Sequence, residues 1–411
     1  MNRITGMELT FINNLGTSAA EVLHKFHGLK QDIKDHIAPL TYSQAEMHKL
    51  LKHTNRPIAA NTLSKEMQIM ADNGYEFQRT AANGYILSRA DCIAIAEHLG
   101  VEKYRHTTNG KAFVFQVGSL KGGVGKSLGT NFIASALINI PKYLLKDMRV
   151  LIVDLDPQAT STQHNAPFGS MTESTYTSIA MMCSDVDKID IQQNGIIRNG
   201  KQCIDIIPCS TLDGFYADEL DLPETRGENK YQELLFERLI KKFENDYDFI
   251  LLDAGPHMDK VLKNCLNTIN GMYIPVPPTF YDFDSTLNFI SRLPTVMKQL
   301  VEEGLDLSNL DFIKPYLSMV STSENAQDKE IYENASTDLY EIFGFENVIK
   351  APLPKEDVYQ RCAENGATVF TIKAKDYPGS NDAFKRARDA AELWAKELID
   401  GMISFHKKKG N

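Results

Sequence analysis

Between an apolar run, AFVFQVGSL from Ala112, and a helix-forming stretch, Thr130 to Asn139, lies the heptapeptide KGGVGKS, Lys121 to Ser127. Its three glycines free the backbone from the φ limits that side chains impose, and the following helix offers its amino end. Backbone N–H groups in such a loop can converge on an anion. The arrangement needs a buried strand before it and a helix after it, which commits this part of the chain to an α/β fold. Further strands are predicted at RVLIVDLD from Arg149, CIDIIPC from Cys203, FILLDA from Phe249, GMYIPVP from Gly271 and FIKPYLSMVS from Phe312, with a helix over Tyr231 to Glu244. Near-continuous apolar strands alternating with helices imply a mostly parallel sheet flanked by helices on both faces.

The residue types within the loop point to a nucleotide polyphosphate. Gly122, Gly123, Val124 and Gly125 supply the cradling backbone, Lys126 a point charge for the β and γ phosphates, and the Ser127 hydroxyl a ligand for Mg2+, with Leu128 in the turn beyond. The strict pattern GxxxxGK[ST] is not met, because Leu120 stands where its first glycine belongs. In VLIVDLDPQ a period of two places Asp154 and Asp156 on one side of a strand's carboxyl end. FILLDAGP brings Asp253 to the end of another.

Ahead of this region the pattern is different. Ser18 to Ile37 spaces Val22, Leu23, Phe26, Leu29 and Ile33 at helical intervals, a single apolar stripe that must meet a partner surface. Ser43 is expected to cap a helix carrying Met47, Leu50 and Leu51, and Asn61 a second carrying Leu63, Met67 and Met70, with Pro57 in the break. YEFQRTAANGYILS then reads as a hairpin turning at Asn83-Gly84, followed by a helix from Arg89 to Leu99 and a polar linker, VEKYRHTTNGK. Helix, turn, helix, hairpin is the order of a winged helix-turn-helix. Its second helix would present Asn61, Thr62, Ser64, Lys65 and Gln68 to DNA, with Arg79 in the wing and Arg56 before the helix on phosphates.

The net charge of −10 argues against a chain devoted to DNA alone, but it is uneven. Residues 1–110 carry 12 basic and 11 acidic side chains, 111–344 carry 20 and 33, and 345–411 carry 12 and 10, so nucleic acid would meet the two ends. The six cysteines form no CxxC pair, which suits free thiols in a reducing compartment. The sequence has no apolar run of membrane-spanning length and no signal-peptide layout at MNRITGMELTFINN, and the basic tail in ISFHKKKG is too short for an amphipathic anchor. A cytoplasmic protein is expected.

With Lys121 at its head, KGGVGKS resembles the deviant Walker A motif of the ParA and MinD group of ATPases. The resemblance runs through the motifs of residues 112–400, and the amino-terminal extension narrows it to the long, Ia-type ParA proteins of plasmids and secondary chromosomes. It implies three parts: a dimerisation helix in 1–40, a winged helix-turn-helix in 41–105 and an ATPase domain in 106–411. It also implies that Lys121 reaches a partner subunit's ATP, that Asp156 places the attacking water, and that Asp154 and Asp253 support Mg2+, largely through water. Ala254-Gly255 departs from the family's DxPP. Segment Ala351 to Asp357, with Pro354, would pass near the adenine. Non-specific DNA would be met by Lys350, Lys355, Arg361, Lys373, Lys375, Lys385, Arg386 and Arg388. The implied partners are a second copy, operator DNA, bulk nucleoid DNA and a ParB-type centromere-binding protein. Two rivals are a metabolic or assembly ATPase of the same superfamily, whose paired interface cysteines are missing here, and a transcription regulator with a vestigial ATPase.

Overall fold

The computed structural model describes residues 6–171, 175–200, 203–323 and 325–409; the first five residues of the expected dimerisation segment and Gly410 of the tail lie outside them. The amino-terminal part holds helices α1 (Gly6–His36), α2 (Gln44–Leu51), α3 (Ala60–Asp72) and α4 (Arg89–His98). The body that follows runs β1 (Phe113–Val117), α5 (Lys126–Asn139), α6 (Pro141–Leu144), β2 (Val150–Leu155), α7 (Thr160–Asn165), β3 (Ile197–Asn199), β4 (Ile204–Ile207), β5 (Phe249–Ala254), β6 (Gly271–Val276), β7 (Phe312–Val320) and β8 (Ile349–Pro354). It closes on a long helix, Asn381–Lys409.

The eight strands form one sheet in the order β3-β4-β2-β5-β1-β6-β7-β8, parallel except for β3. Alternation along each strand feeds two cores. Phe113, Phe115 and Ile152 face Phe132, Leu137, Trp394 and Leu398 on one side of the sheet. Val114, Leu151, Val153, Ile250 and Leu252 face Cys265, Leu266 and Phe289 on the other. Both faces being covered is why the strands read as continuous apolar runs. Each large side chain so buried contributes about 1.5–3 kcal/mol.

Two strands escaped the sequence reading, and both are edges. β3 is too short to show alternation, and β8, IKAPLP, carries two prolines that make it read as a loop. The helix expected over Tyr231 to Glu244 is present as continuous helical turns over 231–243, opening as a 3-10 turn and widening to a π turn at Phe236–Ile240. Asn264 Oδ1 accepts the Leu235 N–H at 3.0 Å, taking that donor out of the helical ladder.

In the amino-terminal part α1 is 31 residues long, starting well before Ser18. Ser43 forms a capping box with Glu46 as expected, but α3 begins at Ala60 without a side-chain cap. The Ala59 carbonyl already accepts from Leu63 N at 3.0 Å, so Asn61 lies inside the first turn. The hairpin is reduced to one isolated bridge, Arg79 with Tyr85, and a second bridge ties its end, Leu87, to Tyr42 ahead of α2. Its turn spans Thr80 to Gly84, closed by Thr80 N donating to Gly84 O at 2.8 Å, and Asn83 alone takes a positive φ, 62°.

The expected polar linker is instead a joint. Tyr104 is 1% exposed, stacks on Phe249 and meets His406 Nδ1 at 2.9 Å through its hydroxyl. Arg89 and Lys103 both pair with Asp147, and Leu144 and Leu145 complete the core of Met47, Leu63 and Ile95. The basic tail is likewise folded in: it is the last turn of Asn381–Lys409, with His406 buried and Lys409 paired to Asp311. No helix among the described residues is long and apolar enough to cross a membrane. All six cysteines are free thiols.

Candidate active site

β1 lies at the centre of the sheet, and the chain leaves its carboxyl end through the glycine loop into α5. Gly123 at φ 76° and Gly125 at φ 94° hold conformations that side chains resist, and Gly125 is the cap from which α5 starts at Lys126. The loop is braced by Ser119 Oγ, which accepts from Lys121 N at 3.2 Å, and by Ser318 Oγ, which donates to Val124 O at 3.0 Å. Leu120 is half-buried against the second core, so the position of the missing glycine is filled by packing.

The loop walls a cleft of about 330 Å³ lined by Gly122, Gly123, Gly125, Lys126, Ser127 and Leu128, with Asp156, Gln158, Pro256 and Met319 opposite. Lys126 is 7% exposed; its Nζ donates to Lys121 O at 2.9 Å. Burial draws its pKa below the usual lysine range, against the pull of Asp253 and Asp156.

β2 and β5 are adjacent, and their register sets Asp154 directly beside Asp253. Two carboxylates in fully buried surroundings cannot both ionise at ordinary cost, and each is pushed up in pKa, chiefly by burial. Asp154 is saturated by protein donors: Asp156 N at 3.2 Å, Thr162 N at 2.8 Å and Thr162 Oγ1 at 2.7 Å. Asp253 is not. Its Oδ2 accepts from Ser161 Oγ at 2.6 Å, while its Oδ1 is buried with no hydrogen-bond partner among the described residues. Burial lifts its pKa to about 6, opposed by the hydroxyls of Ser161 and Ser127. Asp156 lies at the cleft wall, its Oδ1 accepting from Gln158 N at 3.0 Å, and a Cβ on Gly255 would sit 3.5 Å from its carboxylate.

An orphaned anionic oxygen beside a hydroxyl suits a hard divalent cation. No cluster of three or more His, Cys, Asp or Glu side chains able to hold a metal exists among the described residues. A cation here would therefore share its shell with phosphate oxygens, as Mg2+ does in nucleotide sites.

Lys121 is partly exposed at the rim, where its Nζ lies 3.3 Å from Asp282 of the helix Phe280–Glu302. Next to Asp282, Phe280 and Tyr281 are 80% and 81% exposed and stacked edge to face. Pro354, at the end of β8, pairs with Val320, the neighbour of the cleft residue Met319.

The candidate DNA residues are distributed unevenly. Asn61, Thr62, Ser64, Lys65 and Gln68 share one exposed face of α3, and Arg56 is exposed before it. Arg79 lies over the Tyr85 ring at 4.1 Å and donates to Asn83 at 3.2 Å. Lys355, Arg361, Lys375, Lys385 and Arg386 are exposed, and Lys350 covers the Phe345 ring. Lys373 is turned inward, its Nζ donating to Thr41 O at 2.6 Å, and half-buried Arg388 lies in the field of Tyr42, so these two face the amino-terminal part.

The sequence reading missed a buried polar group behind the cleft. Asn131 Nδ2 donates to Ser127 O and to Ser161 Oγ, both at 2.8 Å, and Asn165 Nδ2 donates to Asn131 Oδ1 at 2.7 Å. With Ser161 and Thr162 these residues hold the aspartates in place. Their one sequence signal is a polar cluster, TSTQHN, where an apolar helix would be expected.

A family model described as an AAA domain, AAA_31, matches residues 113–306. Plasmid partition protein A of Escherichia coli is 35% identical over 340 residues, spanning 80% of this chain and 82% of that protein. SopA of Escherichia coli strain K12 is 24% identical over 71% of each chain, and the sporulation initiation inhibitor Soj of Bacillus subtilis strain 168 is 26% identical over 48% of this chain and 73% of that one. Among solved structures, one titled partition protein superposes with a TM-score of 0.72 at 24% identity, over 97% of this chain and 99% of that one, a likeness of fold. Identity sustained along most of both chains, on a sheet that sets two strand-end aspartates beside a glycine loop, places the protein in the ParA family of partition ATPases.

Proposed function

We propose that the protein is an ATP-driven switch for DNA partition: ATP and Mg2+ close a homodimer, the dimer binds nucleoid DNA, and a ParB-type partner stimulates slow hydrolysis and release. The observation that carries this reading is the pairing of a cradle built on Lys126 and Ser127 with the unpartnered Oδ1 of Asp253. Mg2+ bound there would supply positive charge to offset that of the phosphates. Ser127 and Asp253 would hold it, and Asp154, bound up with Thr162, would act from behind as a support.

Chemistry is water attack on the γ phosphate, so the protein acts by positioning and charge. Lys126, now resting on a carbonyl, exchanges that partner for phosphate oxygens. Asp156 orients the water from the cleft wall. Pro354 and its strand border the base. Lys121 crosses to the other subunit's nucleotide, a reading supported by its place on the rim, held by one exposed ion pair worth roughly 0–1 kcal/mol. Phe280 and Tyr281 beside it offer the apolar anchors a dimer interface needs. Asp282→Asn should release Lys121 and lower the ATP concentration for half-maximal dimerisation about twofold to fivefold, read by analytical ultracentrifugation. An unchanged or raised requirement counts against the role of that pair.

The amino-terminal part is proposed to comprise a dimerisation helix and, in 41–105, a winged helix-turn-helix that represses the protein's own operon. Along α1, Val22, Leu23, Phe26, Leu29 and Ile33 are 43–64% exposed, an apolar stripe suited to a second copy. Leu29→Glu should weaken the nucleotide-free dimer by tenfold or more, measured by sedimentation. The α3 face would read operator bases, and the exposed basic residues of the carboxyl-terminal region would meet non-specific DNA in the cytoplasm, at the nucleoid. Replacing Lys385 and Arg386 together with Ala should weaken ATP-dependent binding to random DNA and reduce its salt slope by about 2.

The switch as a whole is tested by Lys126→Gln. ATP-dependent DNA binding and plasmid retention should both disappear. Their survival would leave a transcription regulator with an idle nucleotide fold as the better reading.

A further inference from the structure

The six-residue helix α7 connects two parts of the molecule. At its start, Ser161 holds Asp253 at 2.6 Å and Thr162 holds Asp154 at 2.7 Å, while Asn165 reaches Asn131 at 2.7 Å behind the phosphate loop. At its end, the carbonyls of His164 and Asn165 lack intrahelical donors, as at any helix terminus. They are capped from α1: Lys34 Nζ donates to His164 O at 3.1 Å and also to Asn165 O. Just beyond, His27 of the same helix meets Pro167 O, and Phe168 lies against the rings of His24 and His27.

Lys34 is 7% exposed on a helix whose neighbouring apolar stripe is bare. A buried ammonium is expensive, and burial draws this one down to about 8. Its compensation is the negative end of α7, the end a cation favours. Gly366, at φ 62°, makes room, since its Cβ position lies 3.4 Å from Lys34 Cδ. A surface helix seated by apolar contact alone has no need of such a group.

We propose that Lys34 is a positioning residue for the metal–nucleotide site: by capping α7 it holds Ser161 and Thr162, and through them Asp253 and Asp154, in register with the phosphate loop. This rests on the reading of the cleft as a Mg2+–nucleotide site. Because coupling between sites is reciprocal, filling the cleft with Mg2+ and nucleotide must in turn tighten α1 on the body. The helix that offers its apolar stripe to a second copy is thereby tied to the state of the nucleotide in its own subunit.

The test is hydrogen exchange on the full-length protein with no nucleotide, with ADP and EDTA, and with ADP and Mg2+. Mg2+–ADP should protect the phosphate loop, α7 and residues 24–36 of α1 together, with ADP and EDTA leaving α1 and α7 near the empty state. Protection of the loop with α1 unmoved overturns the relay alone. No protection of the loop removes the nucleotide reading, and the relay with it. In Lys34→Met, which keeps the stem and loses the donor, the gain in ADP affinity from Mg2+ should fall about tenfold, with affinity in EDTA unchanged and the gain restored in part by Lys34→Arg. An equal loss with and without Mg2+, or a gain undiminished, overturns the proposal.

Discussion

Replacing Asp253 with Asn should lower Mg2+-dependent ATP turnover by about 10²–10³-fold or more while leaving the nucleotide-free protein at least as stable as its parent. The opposite signs follow from one atom. Asp253 Oδ1 is buried and unpartnered, so its charge is useful only when a cation arrives. Until then burial favours the protonated acid, with a pKa of about 6 in place of the ordinary 3.8. The folded state therefore binds a proton that the unfolded chain has already lost between these two values. Asp253 should make the empty protein lose stability as pH rises through that window, by on the order of 2–3 kcal/mol, and Asp253→Asn should remove that part of the fall, leaving only what the raised pKa of Asp154 contributes. Mg2+ competes with the same proton, so its affinity should drop below about pH 6, by up to tenfold per pH unit. Melting temperatures across pH 4–8, with and without Mg2+–ADP, read both effects. A variant less stable than its parent when empty would show that Asp253 is structural.

Lys121→Ala and Lys126→Ala should each lower ATP hydrolysis by about 10²-fold or more, yet an equal mixture of the two should regain activity. In a mixed dimer the first subunit keeps Lys126 for its own phosphates, and the second supplies Lys121 across the interface. Random pairing gives half mixed dimers, each with one complete site, so recovery should approach about a quarter of the parental rate. Were Lys121 to act within its own subunit, every site in every dimer would lack one lysine and mixing would recover nothing. In the proposed crossing, Lys121 gives up its ion pair with Asp282.

Much of this arrangement was legible in the chain. KGGVGKS, VLIVDLD and FILLDA announced a phosphate loop and two carboxylate-bearing strand ends, because glycine spacing and strand periodicity are local properties. The amino-terminal helices were legible too, through Ser43 and the apolar intervals of α2 and α3. Local reading failed where a distant group decided the outcome. VEKYRHTTNGK is polar in composition, yet Tyr104 is buried because Phe249 and His406 close around it. Lys373 looks like a DNA contact in a basic stretch, but its amine ends on Thr41 O.

What the sequence alone determined, then, is the chemistry on offer: a glycine cradle, two lysines, a hydroxyl and strand-end carboxylates, each written in residues a few positions apart. What only the tertiary structure decided is how those groups divide the work. The placement of β2 beside β5 sets Asp154 against Asp253, and α7 then satisfies one and leaves an oxygen of the other bare. That choice rests on contacts between residues far apart in the chain, Ser161 with Asp253 and Lys34 with Asn165, and no local periodicity encodes such pairs.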